Sequence, residues 1–253
     1  MRNHHERLKR ALGAALALAS VALLGGARPQ AADPHPFGAG ERAEYSVRLA
    51  GIGVGSGSLV VNGVETVAGE QTYHVTMRVS GGRGPFRVND RFDSWIDVDG
   101  LFSRRFHQNQ HEVRFRRNRT YDFNPERRTF RRENGETGSI PTDKPLDDVS
   151  FIYYARTLPL DVGDVYELHR YFKADGNPVT LRVVRRETVE VPAGRFRTVV
   201  VQPVIRTDGL FGKGGHAEIY FSDDERRIPV LIKTRVPVVG SLSMHLKSYR
   251  PPS

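Results

Sequence analysis

The sequence predicts an all-β protein: a single antiparallel domain over residues 41–249, with a strongly curved or barrel-like sheet and one short helix. Three observations carry this. Apolar and polar residues alternate with period two in several runs, turn-forming pairs separate those runs, and the 253 residues include 25 Gly and 15 Pro. Period two places successive side chains on opposite faces of a strand, so each run has one buried and one wet face. Strands of parallel sheets, buried on both faces, read instead as continuous apolar runs.

In chain order, residues 1–32 read as an export signal with its cleavage region. Arg2, Arg7, Lys9 and Arg10 form a positive start, and the 14 residues 11–24 are apolar without a charge. A run of that length makes only ~21 Å of helix against a ~30 Å bilayer core, which disfavours the competing reading of a short membrane anchor. Gly25 and Ala27, or Ala31 and Ala32, supply the small residues a cleavage site needs. The arginines include no Arg-Arg pair, which favours the general export route over the twin-arginine one. The expected location is periplasmic, with no stable membrane insertion after cleavage. Residues 33–40 form a linker.

Alternation then takes over. Ala43, Tyr45, Val47 and Leu49 alternate with Arg42, Glu44, Ser46 and Arg48; Tyr73, Val75, Met77 and Val79 alternate with His74, Thr76 and Arg78; Leu242, Met244 and Leu246 alternate with Ser241, Ser243 and His245. Asp99-Gly100 and Asp175-Gly176 predict hairpin turns, because glycine accepts the positive φ such loops require. Residues 124–127, 192–195 and 222–225 are further turn signals, and about a dozen strands result. One segment departs from period two. Asp147 and Asp148 can cap a short helix over 148–157, with Val149, Ile152 and Tyr153 on one face and a stop near Pro159.

Composition narrows the chemistry. There is no cysteine, which excludes disulfides, thiolate metal sites, a cysteine nucleophile and an acylated cysteine anchor. Of the formal charge of +9, residues 1–32 carry +4, so the remainder holds a modest +5. Arginine outnumbers lysine 32 to 6, a bias that reads as codon usage rather than as a nucleic-acid surface. Export would also remove the usual polymer, so no nucleic-acid partner is expected.

Motifs for catalysis, cofactors or metals are weak, and none is assigned. Gly51, Gly53, Gly55 and Gly57 imitate a phosphate loop, yet serine stands where the third glycine of the dinucleotide fingerprint belongs and the following run is strand-like. A flexible or bulged connection between two strands is the simpler account. His107 and His111 would share a helix face, but on a strand their rings lie ~13 Å apart, too far for one metal. His74, His169 and His245 read as solvated surface residues. No serine occupies a nucleophile elbow, and neither Asp143/Asp147/Asp148 nor Asp223/Asp224/Glu225 has calcium-loop spacing. The most unusual stretch is 104–132, with ten arginines. Within it Arg114 and Arg116 share a strand face opposite Val113 and Phe115, and these two are the candidate ligand-binding residues, suited to forked contacts with phosphate or carboxylate. A solvated outer face is the alternative.

The succession GERAEYSV from Gly40, AGIGVGSGSL, DDVSFIYYARTLPLDVGD, ETVEVPAGRFRTVVVQP and YFSDDERRIPVLIK resembles the bacterial exported family catalogued as domain of unknown function 3108. The resemblance implies an exported, mainly antiparallel β protein with a barrel-like or strongly curved sheet. It implies no activity. Gly51, Gly55, Ser150, Tyr153, Arg156, Ala193, Gly194, Asp224 and Pro229 match its pattern and read mostly as backbone and packing devices. Three functions stay open: a non-catalytic binding protein for an amphipathic or anionic envelope ligand or partner, whether lipid, glycan or protein; a hydrolase of envelope polymers with carboxylates and histidine gathered from separate strands; and a structural protein without a ligand.

Overall fold

The computed structural model describes residues 35–83, 86–112, 115–205, 207, 217–236 and 240–253. The signal region expected over 1–32 and the candidate Arg114 lie outside them. Among the described residues there are fourteen strands: β1 (Arg42–Leu49), β2 (Ile52–Val67), β3 (Glu70–Arg83), β4 (Phe86–Asp97), β5 (Ser103–Glu112), β6 (Phe115–Asn124), β7 (Thr129–Arg132), β8 (Thr137–Ser139), β9 (Val165–Leu168), β10 (Val179–Val191), β11 (Gly194–Val204), β12 (Glu218–Ser222), β13 (Pro229–Val236) and β14 (Gly240–Arg250). One helix, α1 (Asp148–Ala155), lies between β8 and β9. All strands belong to one antiparallel sheet, in the order β8-β7-β6-β5-β4-β3-β2-β1-β14-β13-β12-β11-β10-β9. Two meanders therefore meet along β1 and β14, in a register running from Arg42↔Arg250 to Leu49↔Leu242.

The sheet curls without closing. Its free edges, β8 and β9, are consecutive in the chain, and residues 145–146 bridge part of the gap through backbone bonds from Ser103 to Pro145 (2.7 Å), Leu146 to Arg170 (2.6 Å) and Phe172 to Leu146 (3.0 Å). Bulges at Val47/Arg48, Val61/Gly63 and Val183/Arg185 add the local twist that curvature needs. Gly55 and Gly81 face each other across β2 and β3, where a Cβ on Gly55 would stand 2.0 Å from the Ser80 carbonyl oxygen. Of the expected glycine connection, only Gly51 is in the turn, beside Ala50, both at positive φ; Gly53, Gly55 and Gly57 are strand residues of β2. They serve close strand approach instead.

One apolar cluster fills the inside of the curl. It takes Tyr45 and Val47 from β1, Tyr73, Val75 and Met77 from β3, Phe92 and Phe106 from β4 and β5, and Ile219, Phe221, Met244 and Leu246 from the second meander. Each such side chain contributes about 1.5–3 kcal/mol by leaving water. Helix α1 lies within this cluster. The sequence suggests one apolar face, yet Val149, Phe151, Ile152, Tyr153 and Ala155 are all buried, because sheet surrounds the helix. Its start is built by a capping box. Asp147 accepts bonds from Val149 N (2.7 Å) and Ser150 N (2.8 Å) and from the hydroxyls of Ser94 and Ser103 (2.6 Å each), while Ser150 Oγ takes Asp147 N.

Asp99-Gly100 forms its expected turn, with the Asp97 carboxylate accepting both backbone N–H groups, but the left-handed φ of 48° falls on Leu101 and not on the glycine. Asp175-Gly176 does not make a tight hairpin. It forms a 3-10 turn inside a connection over residues 169–178, because Tyr171 and Phe172 must reach the core between β9 and β10. Asn177 holds that loop, accepting from Tyr171 N and donating to the carbonyls of Tyr171 and Lys173. Val199, Val200 and Val201 are buried in succession, since Val200 joins Tyr220 and Leu231 in a second apolar cluster on the opposite face.

Candidate functional site

A cleft of about 660 Å³ opens at the C-terminal end of α1, lined by His35, Pro36, Arg156, Leu158, Glu225, Arg226, Arg227 and Tyr249 among others. Three distant segments build it. The helix ends at Arg156, whose side chain is completely buried (0 %) against a Glu41 carboxylate that is 3 % exposed. Arg156 Nη1 donates to Glu41 Oε1 (2.6 Å), and Nη2 donates to Glu41 Oε2 (2.9 Å), Pro36 O (2.8 Å) and Arg226 O (2.9 Å). Tyr249 donates to the same carboxylate at 3.1 Å, and the guanidinium carbon lies 5.3 Å and 5.2 Å from the Phe37 and Tyr153 rings. One side chain thus ties the lead-in to β1, the helix end and the turn before β13.

The electrostatics follow from burial. Desolvation works against the Arg156 charge, but the Glu41 carboxylate more than offsets it and holds the guanidinium protonated. Burial pushes the Tyr45 and Tyr153 hydroxyls well up, so both stay neutral. Tyr45 donates to the Pro229 carbonyl at 2.8 Å. The buried Tyr153 hydroxyl and Arg156 Nε have no hydrogen-bond partner among the described residues.

The turn between β12 and β13 forms the opposite wall. Asp224 accepts from Ser222 Oγ (2.7 Å), Arg226 N (3.0 Å) and Arg227 N (3.2 Å), and Arg227 takes a left-handed φ of 48°. This turn brings Glu225, Arg226 and Arg227 to the cleft. Arg227 is near Asp223 at 3.5 Å, whereas the Arg226 guanidinium has no ion-pair partner among the described residues. With Arg156 neutralised by Glu41 and Arg227 beside Asp223, Arg226 is the lining cation left without an ion-pair partner, next to the Glu225 carboxylate. Such a cleft can take an anionic group, with Arg226 as the charge that meets it.

A second constellation stands on the outer face of β2–β4. His74 was expected to be solvated, but it is half-buried between Glu65 (Nδ1 to Oε1, 2.8 Å) and Asp93 (Nε2 to Oδ1, 3.1 Å). The correction has a cross-strand cause. His74 stands opposite Trp95 and stacks on it with ring centroids 4.4 Å apart, while Arg105, opposite Trp95 on β5, places its guanidinium carbon 5.6 Å from the same ring. Burial disfavours the imidazolium, but the bonds to Asp93 and Glu65 outweigh it and raise the His74 pKa. Asp93 also resists its own burial: bonds from His74, Arg91 and Thr76 hold its carboxyl well below the usual range. Both ring nitrogens of His74 are engaged, which leaves no lone pair for general-base chemistry. His169 is exposed as expected, and His245 is half-buried beside Ser243, its pKa lowered by burial and then by Arg48 and Lys233. His107 and His111 lie on extended β5, and among the described residues no group of three or more His, Asp or Glu could hold a metal ion.

Arg116 is exposed opposite His111 at the β5–β6 end, far from the cleft in the strand order, and its candidate partner Arg114 lies outside the described residues. Sequence reasoning missed Glu41, Arg226 and Arg227. Arg156 and Asp224 stood among the pattern-matching residues taken as packing devices, and both shape the cleft. The available signal was a charged residue inside each quoted motif, GERAEYSV, FIYYAR and SDDERR, but a buried arginine has the same one-letter code as a solvated one.

Residues 44–247 match the profile of a family described as "Protein of unknown function (DUF3108)". No protein with a curated description matches the sequence. Among solved structures, a candidate lipoprotein from Parabacteroides distasonis ATCC 8503 aligns with a TM-score of 0.37 at 12% identity, covering 85% of this chain and 98% of the other. A candidate exported protein with a YmcC-like fold from Bacteroides fragilis NCTC 9343 aligns with a TM-score of 0.33 at 12% identity, with the same coverage of each chain. Among the described residues no helix is long and apolar enough to cross a membrane.

Proposed function

The chain belongs to that family of unknown function, and on this premise we propose that it is an exported periplasmic protein that binds, without catalysis, an anionic group of a cell-envelope lipid, glycan or protein in the cleft at the end of α1. The observation that carries this reading is the exposed Arg226 guanidinium in the cleft wall, which has no ion-pair partner among the described residues. Export is supported by the positive start and apolar run of residues 1–24.

The binding version in which an amphipathic ligand fills the inside of the curl has less support, since α1 and its aromatic neighbours occupy that space. The hydrolase version could draw on Glu65, His74 and Asp93, but that group lies on the outer sheet face with both imidazole nitrogens bonded. The test is native mass spectrometry of the protein purified from periplasm, compared with Arg226→Glu. A bound anionic species that Arg226→Glu loses is the expected result. An empty wild-type protein, or a ligand retained equally by the variant, overturns the reading. Intact mass of the exported product tests cleavage between Ala27 and Asp33.

A further inference from the structure

The outer face of β3–β6 carries a patch that the cleft does not use. In register across it stand Arg78, Arg91, Asn109 and Asn118 on one rung, with Ser80 opposite Asn89, Gly82 opposite Arg87, and His111 opposite Arg116 on neighbouring rungs. These side chains alternate with core residues such as Met77, Phe92, Phe106 and Tyr121, which fixes their outward direction. Arg78, Arg87, Asn89, His111, Arg116 and Asn118 are all exposed.

The charge on this patch is not neutralised from within. Arg91 is paired to Asp93, a carboxylate 3 % exposed, and Arg105 further along is paired to Asp122. Arg78, Arg87 and Arg116 have no ion-pair partner among the described residues. Arg78 stands directly opposite Arg91, whose charge is already held by Asp93, so Arg78 is the cation of that pair left without a partner. The large apolar side chains exposed in the described residues, Ile52, Val64, Val162 and Val165, are all outside the patch, so it offers no anchor for a lipid chain or an apolar peptide residue. Between the arginines stand Asn89, Asn109 and Asn118, whose carboxamides each donate and accept and so suit neighbouring hydroxyls.

We propose that this face, centred on Arg78, Arg87 and Arg116, docks an acidic polysaccharide of the cell envelope. Guanidinium groups take its carboxylates or phosphates, and the asparagines take the sugar hydroxyls between them. From Arg78 on β3 to Asn118 on β6 the surface spans ~14 Å, enough for an extended chain to touch several strands along one rung. The inference is independent of the cleft.

The test titrates the full mature protein with polygalacturonate, with dextran as neutral glycan, polyglutamate as acidic peptide and phosphatidylglycerol vesicles as anionic membrane. Polygalacturonate binds best, and more weakly as salt is raised. The exposed triple variant Arg78→Gln/Arg87→Gln/Arg116→Gln lowers its affinity roughly tenfold to a hundredfold. Asn89→Ala/Asn118→Ala weakens polygalacturonate binding without changing the response to polyglutamate. Absence of polygalacturonate binding, equal binding by the triple variant, or tighter binding of polyglutamate or vesicles would overturn the proposal.

Discussion

Replacing Glu41 by Gln keeps the shape of the buried cluster and removes its negative charge. The consequence can be worked from the contacts. Arg156 is fully buried and gives two of its four hydrogen bonds to Glu41, so the variant leaves a buried guanidinium uncompensated. A carboxamide accepts through one oxygen only, and its amide N–H groups would face a guanidinium donor. Breaking a buried pair in this way costs about 3–5 kcal/mol. For a domain of this size each kcal/mol lowers Tm by about 2–4 °C, so the expected fall is about 6–20 °C. The pair Glu41→Leu/Arg156→Met removes both charges and should cost less than the sum of its single variants, although the carbonyls of Pro36 and Arg226 still lose their donor. Urea denaturation with matched m-values is the assay. A Glu41→Gln variant within 1 kcal/mol of wild type refutes the claim that this pair ties the three segments together.

Asp147→Ala should cost about 2 kcal/mol or more, because two helix N–H groups and two serine hydroxyls lose their acceptor, whereas Asp147→Asn recovers most of that. Burial raises the Asp147 pKa to about 6, above its unfolded value, so its contribution is present at low pH and lost as pH rises through about 6; Asp147→Asn should flatten that step in a stability–pH curve. His74 is also raised, so the stability it adds is full below its unfolded value near pH 6.5 and fades as pH rises through the folded one, a loss absent in His74→Gln. Trp95 is the sole tryptophan and stacks on His74, so its fluorescence should follow the same titration in wild type and lose it in the variant. Gly55→Ala should destabilise by about 1–3 kcal/mol through contact with β3, while Gly53→Ala, with nothing within 4 Å, should change little by thermal melting.

The alternation of Tyr73, Val75, Met77 and Val79 made the inward face of β3 legible, because one wet face and one dry face leave a direct trace in residue order. The helix was legible through Asp147 and its following apolar spacing, and its surroundings were not: nothing in residues 148–155 distinguishes a helix on a sheet from one enclosed by it. Val200 breaks the alternation because a second apolar cluster stands on the far side of β11. The cleft was the least legible part. Glu41, Arg156 and Arg226 are separated by 115 and 70 residues, and only the curl of the sheet brings them into one hydrogen-bond set. Arg116 shows the converse, a conspicuous arginine whose partners are absent from its own neighbourhood.

The pairing of β1 with β14 joins the first strand to the last, at a sequence separation of about the whole domain. That seam is the slowest kind of contact to form, and it cannot begin until residues 240–250 are available. A chain emerging in order can make the local hairpins of its first meander early, but β1 lacks one of its two native neighbours until β14 has been made. Under the export proposed above, the chain would be threaded unfolded and this topology would defer completion to the far side of the membrane. Removing the last strand should therefore leave β1 and β13 both open along their length, and such chains should collect as aggregates rather than as a slightly smaller version of the fold.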